Sequence, residues 1–305
     1  SDAGLPRFHG SCGDVDGQLD KALSNAESRE ISSHETSVGF AKLSNYRTTV
    51  IIDAAPPPMG KKALKADAST LAFEMVSGQR RIFTSCGPGY LFGPDLSSEG
   101  RQTNSHCTVY LDNKNSSEFR DIEGWLRPPK KVIINGPRNV PKEISNEEGT
   151  AIFEGAHDGY VKSHGLTHVR KLKLSQDGQS LEGEDLMIAI EDPHKRQFDK
   201  ISKKNSSDQI SLKAAFHLHP DVAVRLDQES NLTSLALKNG EVWIFNYSMD
   251  LHLRLESTIF FENGLFEPLE SKKLILSADL LNYGTRIKWS LDRAIDKDLS
   301  VGDLF

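Results

Sequence analysis

The sequence predicts an all-β protein, a large two-layer antiparallel β-sandwich with a short helical segment at its N-terminus. Three observations predict this fold class. From Val38 onward, β-branched or apolar runs of strand length follow one another between turn residues. Asp177-Gly178 and Asn239-Gly240 lie between apolar runs and are typical of tight hairpins. After residue 35, no stretch of the sequence has helical periodicity of useful length.

The predicted strands are rich in Val, Ile, Leu, Phe and Thr and end at Gly, Pro, Asn or Asp. They cover residues 47–53, 71–76, 81–84, 108–111, 131–134, 150–154, 168–174, 186–190, 211–218, 222–226, 232–237, 242–247, 252–260, 273–276 and 285–291. Two polar segments, 94–105 and 191–208, have no regular period. We predict that both are surface loops, the second a mobile excursion and not a recognition arm.

The first 35 residues differ from the rest of the chain. Leu19, Leu23 and Ala26 are spaced as on one face of a helix, and they follow a glycine-rich stretch. A single amphipathic helix has nothing local to pack against, so we predict that residues 1–35 are the end of a helical region. Residues 36–305 are predicted to form the sandwich domain. The chain starts at Ser1 without a methionine or a signal-like segment, and we expect it to be a fragment of a longer protein.

Composition narrows the possible partners. The 305 residues carry a net charge of −6 with no basic stripe, which disfavours tight binding of nucleic acid. The mean hydropathy is −0.45 and no apolar run approaches the ~20 residues of a membrane helix, so we predict no membrane partner. Cys12, Cys86 and Cys107 are too few for a disulfide framework, and at least one thiol must be free. A free thiol is compatible with the cytoplasm, but the sequence does not assign a compartment.

Histidines are the most informative polar residues. His157, Tyr160, His168 and Arg170 fall within one short stretch, and the last two are two apart in a predicted strand and so share a face. His217 and His219 are predicted to share a face in the same way. Paired imidazoles on a strand can bind a metal, relay protons or contact an acidic sugar.

Each of these residues also has a purely structural interpretation. The imidazoles can simply hydrogen-bond on a sheet, Asp158-Gly159 is a turn signal, and Tyr160 can be a packing residue. His106 stands alone at the start of a strand and is structural on its own evidence. The nucleotide-binding, P-loop, zinc-protease and nucleophile-elbow motifs are all absent from the sequence.

The ordered series of segments from about residue 39 to residue 293 resembles the C-terminal β-sandwich region of the heparinase II/III-like polysaccharide lyases. No single segment is specific, but their order and spacing cover most of the chain. The segments are G-F-A-K-L, R-T-T-V-I-I-D-A-A-P-P-P, A-D-A-S-T-L-A-F-E-M, S-C-G, S-H-C-T-V, A-H-D-G-Y, G-L-T-H-V-R-K-L-K-L-S, G-E-D-L, A-F-H-L-H-P-D-V and V-W-I-F.

The resemblance implies a bacterial two-domain lyase in which an N-terminal α/α-toroid and this sandwich flank a cleft. Such enzymes cleave uronic-acid-containing polysaccharides by β-elimination, and their principal tyrosine and histidine lie on the toroid. Residues 1–35 would then be the remnant of an absent toroid, and this chain alone would be catalytically incompetent. The characterised members of the family are periplasmic. The family's sandwich often lies at subunit contacts, so the resemblance is also compatible with a homodimer.

The resemblance also implies three positions at which ligands of a structural zinc are expected. Family members commonly hold a structural zinc with a histidine of H-x-D-x-x-S-F, an aspartate of a D-P-G turn and the histidine of H-N-T. Here the three positions match Asp67, Ser85 and His106, so one strong ligand remains. We therefore expect no cofactor, with zinc bound by His106 and Asp67 as the lesser alternative.

Two hypotheses follow. In the first, the chain is the sandwich of a lyase. His157 and Tyr160 would then act as catalytic groups, and His168, Arg170, His217 and His219 would bind acidic sugar, with Arg170 as the carboxylate clamp. In the second, it is a non-catalytic carbohydrate-binding or interaction module. Convergence of His157, Tyr160 and Arg170 on a concave surface beside His106 favours the first hypothesis, and burial in hydrogen-bonded pairs favours the second.

Overall fold

The computed structural model describes residues 35–37, 39–87, 89–112, 114–124, 127–204, 210–227, 232–262 and 265–294. These residues form a mostly antiparallel β-structure in which the strands are numbered β1 to β19 along the chain. The predicted helix around Leu19, Leu23 and Ala26 lies outside the described residues, as does Cys12. Among the described residues, no helix combines the length and the apolar character that crossing a membrane requires.

The first sheet is a five-stranded antiparallel meander in chain order. Its strands are β1 (Glu35–Ser37), β2 (Phe40–Asn45), β3 (Thr48–Asp53), β4 (Phe73–Ser77) and β5 (Arg80–Phe83). Alternation in β3 buries Val50 and Ile52 on one face, as its β-branched sequence predicts.

The largest sheet has eight antiparallel strands. In spatial order they are β14 (Ala223–Asp227), β15 (Leu232–Ala236), β16 (Val242–Tyr247), β19 (Gly284–Arg293), β12 (Ser180–Ile188), β11 (Leu166–Leu174), β10 (Thr150–Tyr160) and β9 (Lys142–Glu147). The two predicted hairpins are confirmed, because Gly178 connects β11 to β12 and Gly240 connects β15 to β16, both with positive φ.

A four-stranded sheet completes the sandwich, and two further strands pair as a separate ribbon. The four strands are, in order, β17 (His252–Phe260), β18 (Leu269–Asp279), β13 (Ser211–His217) and β6 (Val109–Leu111). The ribbon pairs β7 (Glu118–Gly124) with β8 (Arg127–Asn135).

The sheets form two layers around one core. A bridge between Phe83 and Leu218 joins the five-stranded sheet to the four-stranded sheet. Phe73 of the first and Phe216 of the second both pack on Trp289 of the eight-stranded sheet, with ring centroids 5.5 and 4.9 Å apart. Aromatic pairs of this kind contribute about 0.5–1.5 kcal/mol each beyond the area that they bury. The predicted two-layer sandwich is therefore confirmed.

Two segments that we predicted to be loops contain helices. Helix α1 (Pro94–Gly100) lies in the first, and helix α3 (Asp192–Lys204) occupies most of the second. Helix α2 (Val161–His164) is a single turn between β10 and β11. Short 3-10 turns cover Gly60–Lys65, Gly89–Phe92 and Thr103–Ser105.

The prediction for α3 was wrong because the segment is so polar that its periodicity is hidden. Phe198 is buried and Ile201 packs against the core, three residues apart on one face of the helix. Asp192 and Pro193 stand in the first turn, where an acidic side chain and a proline are both favoured.

Candidate functional site

Strands β10 and β11 bring the predicted histidines together. His157 and His168 are directly opposite each other in the register, and their rings meet edge to face with centroids 4.9 Å apart. Asp158 and Gly159, which we considered a possible turn, instead form a bulge within β10 before Tyr160. A Cβ at Gly159 would lie 2.6 Å from the carbonyl oxygen of Ser116, so this bulge requires glycine.

The hydrogen bonds of these rings run in one direction. The amide of Gly159 donates to Nδ1 of His157 at 3.1 Å, so the proton of that ring is on Nε2. Nε2 of His157 lies 3.1 Å from Nδ1 of His168, and Nε2 of His168 lies 2.8 Å from Oδ1 of Asp185. Each ring therefore accepts at one nitrogen and donates from the other, and the chain of donors ends on a carboxylate.

Arg170 shares the same carboxylate. Its Nε and Nη2 donate to the two oxygens of Asp185 at 2.7 and 3.0 Å, which is the bidentate geometry of a strong ion pair. Its Nη1 donates to the carbonyl oxygens of Leu71 and Cys107 at 2.6 and 2.8 Å. Leu71 precedes β4 and Cys107 precedes β6, so this one guanidinium connects all three larger sheets.

Burial sets the charges in this network. Burial, with His168 and Arg170 adding to it, lowers the pKa of His157 well below its usual value. Burial also lowers the pKa of His168, although Asp185 opposes the shift. For Asp185, burial alone would raise the pKa, but Arg170 and His168 outweigh it and hold the pKa below its usual value. The network therefore contains two neutral imidazoles, one carboxylate and one guanidinium.

This geometry corrects two expected roles. His168 and Arg170 do share a face, as their spacing predicts, but that face is the interior, and both side chains are fully buried. A guanidinium already bonded to a carboxylate and two carbonyl oxygens has no accessible face for a sugar carboxylate. In this structure Arg170 is part of a buried ion pair, and His168 orients it through Asp185.

Tyr160 is also fully buried. Its hydroxyl donates to the carbonyl oxygen of Val109 at 3.0 Å, and burial raises its pKa. His157 and Tyr160 are neighbours, with ring centroids 5.7 Å apart, but both point into the core. Neither can contact a polymer in this structure, which contradicts their predicted exposure at a cleft.

The structure separates His217 from His219. Strand β13 ends at His217, so the alternation that predicted a shared face is not sustained. His217 is buried, lies with Nε2 2.7 Å from the carbonyl oxygen of Asn104, and has its pKa lowered to about 3, mainly by burial. His219 is partly exposed and accepts a hydrogen bond from the amide of Asp221 at Nδ1.

His219 lines a basic pocket at the junction of the three larger sheets. The pocket has a volume of about 200 Å³. Its lining residues come from the β4–β5 turn, the segment after β13 and the β15–β16 hairpin, and they are Gln79, Arg80, Arg81, His219, Asp221, Leu237 and Lys238.

Cations outnumber anions in this basic pocket. Asp221 is its one carboxylate among the lining residues, and it lies 2.5 Å from Nζ of Lys238. The hydrogen bond from Lys238 lowers the pKa of Asp221, and His219 and Arg80 act in the same direction. Arg80 is exposed beside this pair, so the pocket retains positive charge that an anionic ligand could meet.

Comparison with known proteins decides the family. Residues 29–290 match the sequence profile of the family described as "Heparinase II/III-like, C-terminal". The chain belongs to the heparinase II/III-like family. The matched residues extend from the border of the predicted helical segment almost to the end of β19, as the resemblance implied.

Solved structures of a heparan sulfate lyase and of heparinase III share the fold at low sequence identity. Heparan sulfate lyase HepC from Pedobacter heparinus superposes with a TM-score of 0.68 at 14% identity, over 98% of this chain and 45% of that chain. A structure of heparinase III gives a TM-score of 0.68 at 13% identity, over 96% of this chain and 45% of that chain. At these identities the likeness shows the fold alone.

A curated relative has a different description. FtsZ-localized protein C from Caulobacter vibrioides is 24% identical over 259 residues, which are 84% of this chain and 42% of that protein. The chain thus spans less than half the length of each of these three proteins.

The zinc positions of the heparinase II/III-like family do not fit a zinc centre here. His106 is fully buried with Nδ1 3.0 Å from Oγ of Ser85, the residue at the aspartate position. Asp67 lies 3.7 Å from Nε of Arg101 and supplies a negative charge beside that buried guanidinium. In the part of the chain that the structure describes, no three His, Cys, Asp or Glu residues are grouped to hold a metal ion. Zinc sites take three or four such ligands, so these residues do not make a zinc centre.

Sequence reasoning missed four residues of the two sites. Asp185 occupies an inward-facing position of β12. The sequence did contain a signal for it, because a carboxylate falls on the buried side of an alternating strand, in the series Leu181, Gly183, Asp185, Met187. Arg80, Arg81 and Lys238 had no signal of their own, because basic residues near turns are common and only the fold brings the adjacent Arg80 and Arg81 close to Lys238.

Proposed function

We propose that this chain is the saccharide-contacting β-sandwich of a protein that cleaves uronic-acid-containing polysaccharide by β-elimination. The chain would supply one wall of the cleft and contacts to acidic sugar, without being sufficient for catalysis. Membership of the heparinase II/III-like family supports the substrate class. The observation that carries the proposal for this chain is the basic pocket formed by Arg80, Arg81, His219 and Lys238.

The chemistry divides naturally between this chain and another part of the protein. β-Elimination needs the uronate carboxylate neutralised, a base for the C5 proton and an acid for the O4 leaving group. The guanidinium of Arg80 can supply the first of these by binding the carboxylate. His157 and Tyr160 are buried, so the base and the acid would come from the N-terminal α/α-toroid that the family resemblance implies.

The size of the pocket limits what it can hold. A volume of about 200 Å³ is smaller than the roughly 300–1,000 Å³ of a typical drug-sized site. It would therefore hold one acidic sugar unit of a longer polymer. The remaining units would lie along the exposed surface.

Calorimetric titration of the chain with a uronate oligosaccharide tests the binding role. We expect the double variant Arg80→Ser/Lys238→Ser to bind at least about tenfold more weakly, which is the loss of one charge-assisted contact. Arg286→Ser/Lys288→Ser is a matched control, since it removes the same two residue types from exposed ion pairs with Glu184. Equal affinities of the wild-type chain and the pocket variant would refute the assignment of the pocket.

Absorbance of the unsaturated uronate product tests the lyase role in the longer protein that includes the toroid. We expect product from at least one acidic polysaccharide with that protein and none with this chain alone. If the longer protein forms no product from any uronate polymer, the lyase proposal is wrong.

A specific observation favours a second candidate, a non-catalytic carbohydrate-binding or interaction module. The residues that most resembled a catalytic set form a buried, internally bonded network. In addition, the relative from Caulobacter vibrioides is described as FtsZ-localized. Retained oligosaccharide binding without any product would establish this alternative.

A further inference from the structure

The outward side of α3 and the adjoining end of the eight-stranded sheet form a surface that the proposed function does not use. We call it the α3 surface. It combines exposed cations on α3 with exposed apolar side chains on the neighbouring strand ends. Its six residues are Arg196, Lys200 and Lys203, and Ile190, Leu281 and Tyr283.

The cations form one stripe along α3. Arg196, Lys200 and Lys203 are spaced i, i+4, i+7, so they share a face and extend over about 10 Å of the helix axis. The opposite face holds Phe198 and Ile201 against the core. Within the described ranges, none of the three cations forms an ion pair.

The apolar side chains lie beside this stripe. Ile190, Leu281 and Tyr283 are 58%, 71% and 41% exposed. The amide of Ala189 donates to the carbonyl oxygen of Tyr283 at 2.8 Å, which holds the two strand ends together. The Tyr283 hydroxyl donates to Asp199 of α3 at 3.0 Å, and its ring packs on Phe198. Large apolar side chains grouped on a surface mark interaction sites more often than single ones do.

Charge and polarity together select the partner. A polysaccharide gives aliphatic side chains such as Ile190 and Leu281 little to bury. A membrane-bound helix inserts its own apolar face, but that face of α3 already lies against the core. The exposed carboxylates of Glu191 and Asp192 at the start of α3 would also be repelled by a continuous anionic surface.

We propose that the α3 surface binds an acidic segment of a partner protein that also carries apolar side chains. Carboxylates of the segment would pair with Arg196, Lys200 and Lys203. Its apolar side chains would cover Ile190 and Leu281, and a flexible segment could avoid Glu191 and Asp192. This role is independent of saccharide binding, because the basic pocket is built from other elements.

Fluorescence anisotropy with defined probes tests the proposal. The main probe is a labelled peptide of about 15 residues that alternates Glu with Leu and Phe. The comparison probes are the same peptide with Ser for Leu and Phe, vesicles containing phosphatidylglycerol, and heparin. The variants are Arg196→Glu/Lys200→Glu/Lys203→Glu and Ile190→Ser/Leu281→Ser. The charge-matched control, Arg138→Glu/Arg254→Glu/Lys272→Glu, changes exposed cations elsewhere.

We expect the Glu/Leu/Phe peptide to bind, and the α3 charge reversal to weaken binding at least about tenfold. The Ile190/Leu281 variant should weaken it several-fold, the control should stay within about twofold, and added salt should weaken binding of the wild type. No binding of this peptide, or equal losses in the α3 and control variants, would overturn the proposal. If the wild type binds the vesicles or heparin but not the peptide, and the α3 charge reversal abolishes that binding, the surface would be assigned to a membrane or a polysaccharide instead.

Discussion

Nε of Arg170 lies 2.7 Å from Oδ1 of Asp185, and both side chains are excluded from solvent. The same guanidinium holds the carbonyl oxygen of Leu71, a residue with a φ of 62° that non-glycine residues seldom adopt. The ion pair thus binds the eight-stranded sheet to the strained segment before β4. An arginine that sequence patterns present as a sugar ligand is here a link between sheets.

Arg170→Ala should therefore lower stability strongly. Removal of one partner of a buried ion pair leaves Asp185 uncompensated, which costs about 3–5 kcal/mol in the free energy of unfolding. Urea denaturation measures the change. Lys171→Ala, at the partly exposed neighbour in β11, removes a surface ion pair with Glu154 and is the control; it should change the free energy by about 0.5 kcal/mol or less. If Arg170→Ala is as stable as the wild type, the buried ion pair is contradicted and Arg170 would again be interpreted as an exposed ligand for a sugar carboxylate.

Tyr160→Phe should have a small, purely structural effect. The variant removes the hydrogen bond to the carbonyl oxygen of Val109 and leaves the ring in place, so we expect a loss of about 1 kcal/mol in the free energy of unfolding. Tyr46→Phe, at a tyrosine that is 86% exposed, is the matched control and should be neutral. In the longer protein, a Tyr160→Phe variant that folded normally but lost all lyase activity would show a catalytic role that the burial argues against.

Stability should fall as the pH drops below about 6.5. Four histidines, His157, His164, His168 and His217, have folded-state pKa values below those of the unfolded chain, so between the two values the unfolded state binds more protons. The contribution of the neutral rings to the free energy of unfolding is fully present above about pH 6.5, the pKa of histidine in the unfolded chain, and it is lost as the pH falls. Four protons give a slope of up to about 5 kcal/mol per pH unit.

Urea denaturation at a series of pH values measures this slope. His217→Gln can keep the hydrogen bond to Asn104 while removing one titrating ring, so it should reduce the slope by about one proton. His252→Gln, at an exposed histidine, leaves these four rings in place and is the control. Stability that is constant or increases between pH 6.5 and about 4 would contradict neutral, buried histidines.

Gly183→Ala should destabilise the core. An added Cβ would lie 2.1 Å from two ring atoms of Trp289, which faces Gly183 across the β12–β19 pair. Trp289 is held by Phe73 and Phe216 and cannot easily move, so we expect a loss of about 1–3 kcal/mol. At Gly284 the nearest atom to an added Cβ is 4.0 Å away, and Gly284→Ala should change thermal stability little. Equal melting temperatures of the two variants would contradict the packing described here.

The sequence by itself determined the fold class, most strand positions, both glycine hairpins and the family. The strands and hairpins depend on residues close together in the chain, such as the alternation in β11 or the turn preference of Gly178 and Gly240. The family follows from the order of many such segments along the chain. It also determined that His168 and Arg170 share a face, because side chains alternate along a strand. It failed for α3, in which the two core-facing apolar residues, Phe198 and Ile201, are surrounded by charge.

Only the tertiary structure decided which face is inside and which distant residues meet. Alternation has the same period whether a face is solvated or buried, so Arg170 could be assigned to the core only once Asp185, Leu71 and Cys107 were seen around it. The basic pocket has the same origin, since Arg80, His219 and Lys238 are far apart in the chain and meet only where three sheets join. Burial and long-range contact set the charge and accessibility of a side chain, and neither is encoded locally.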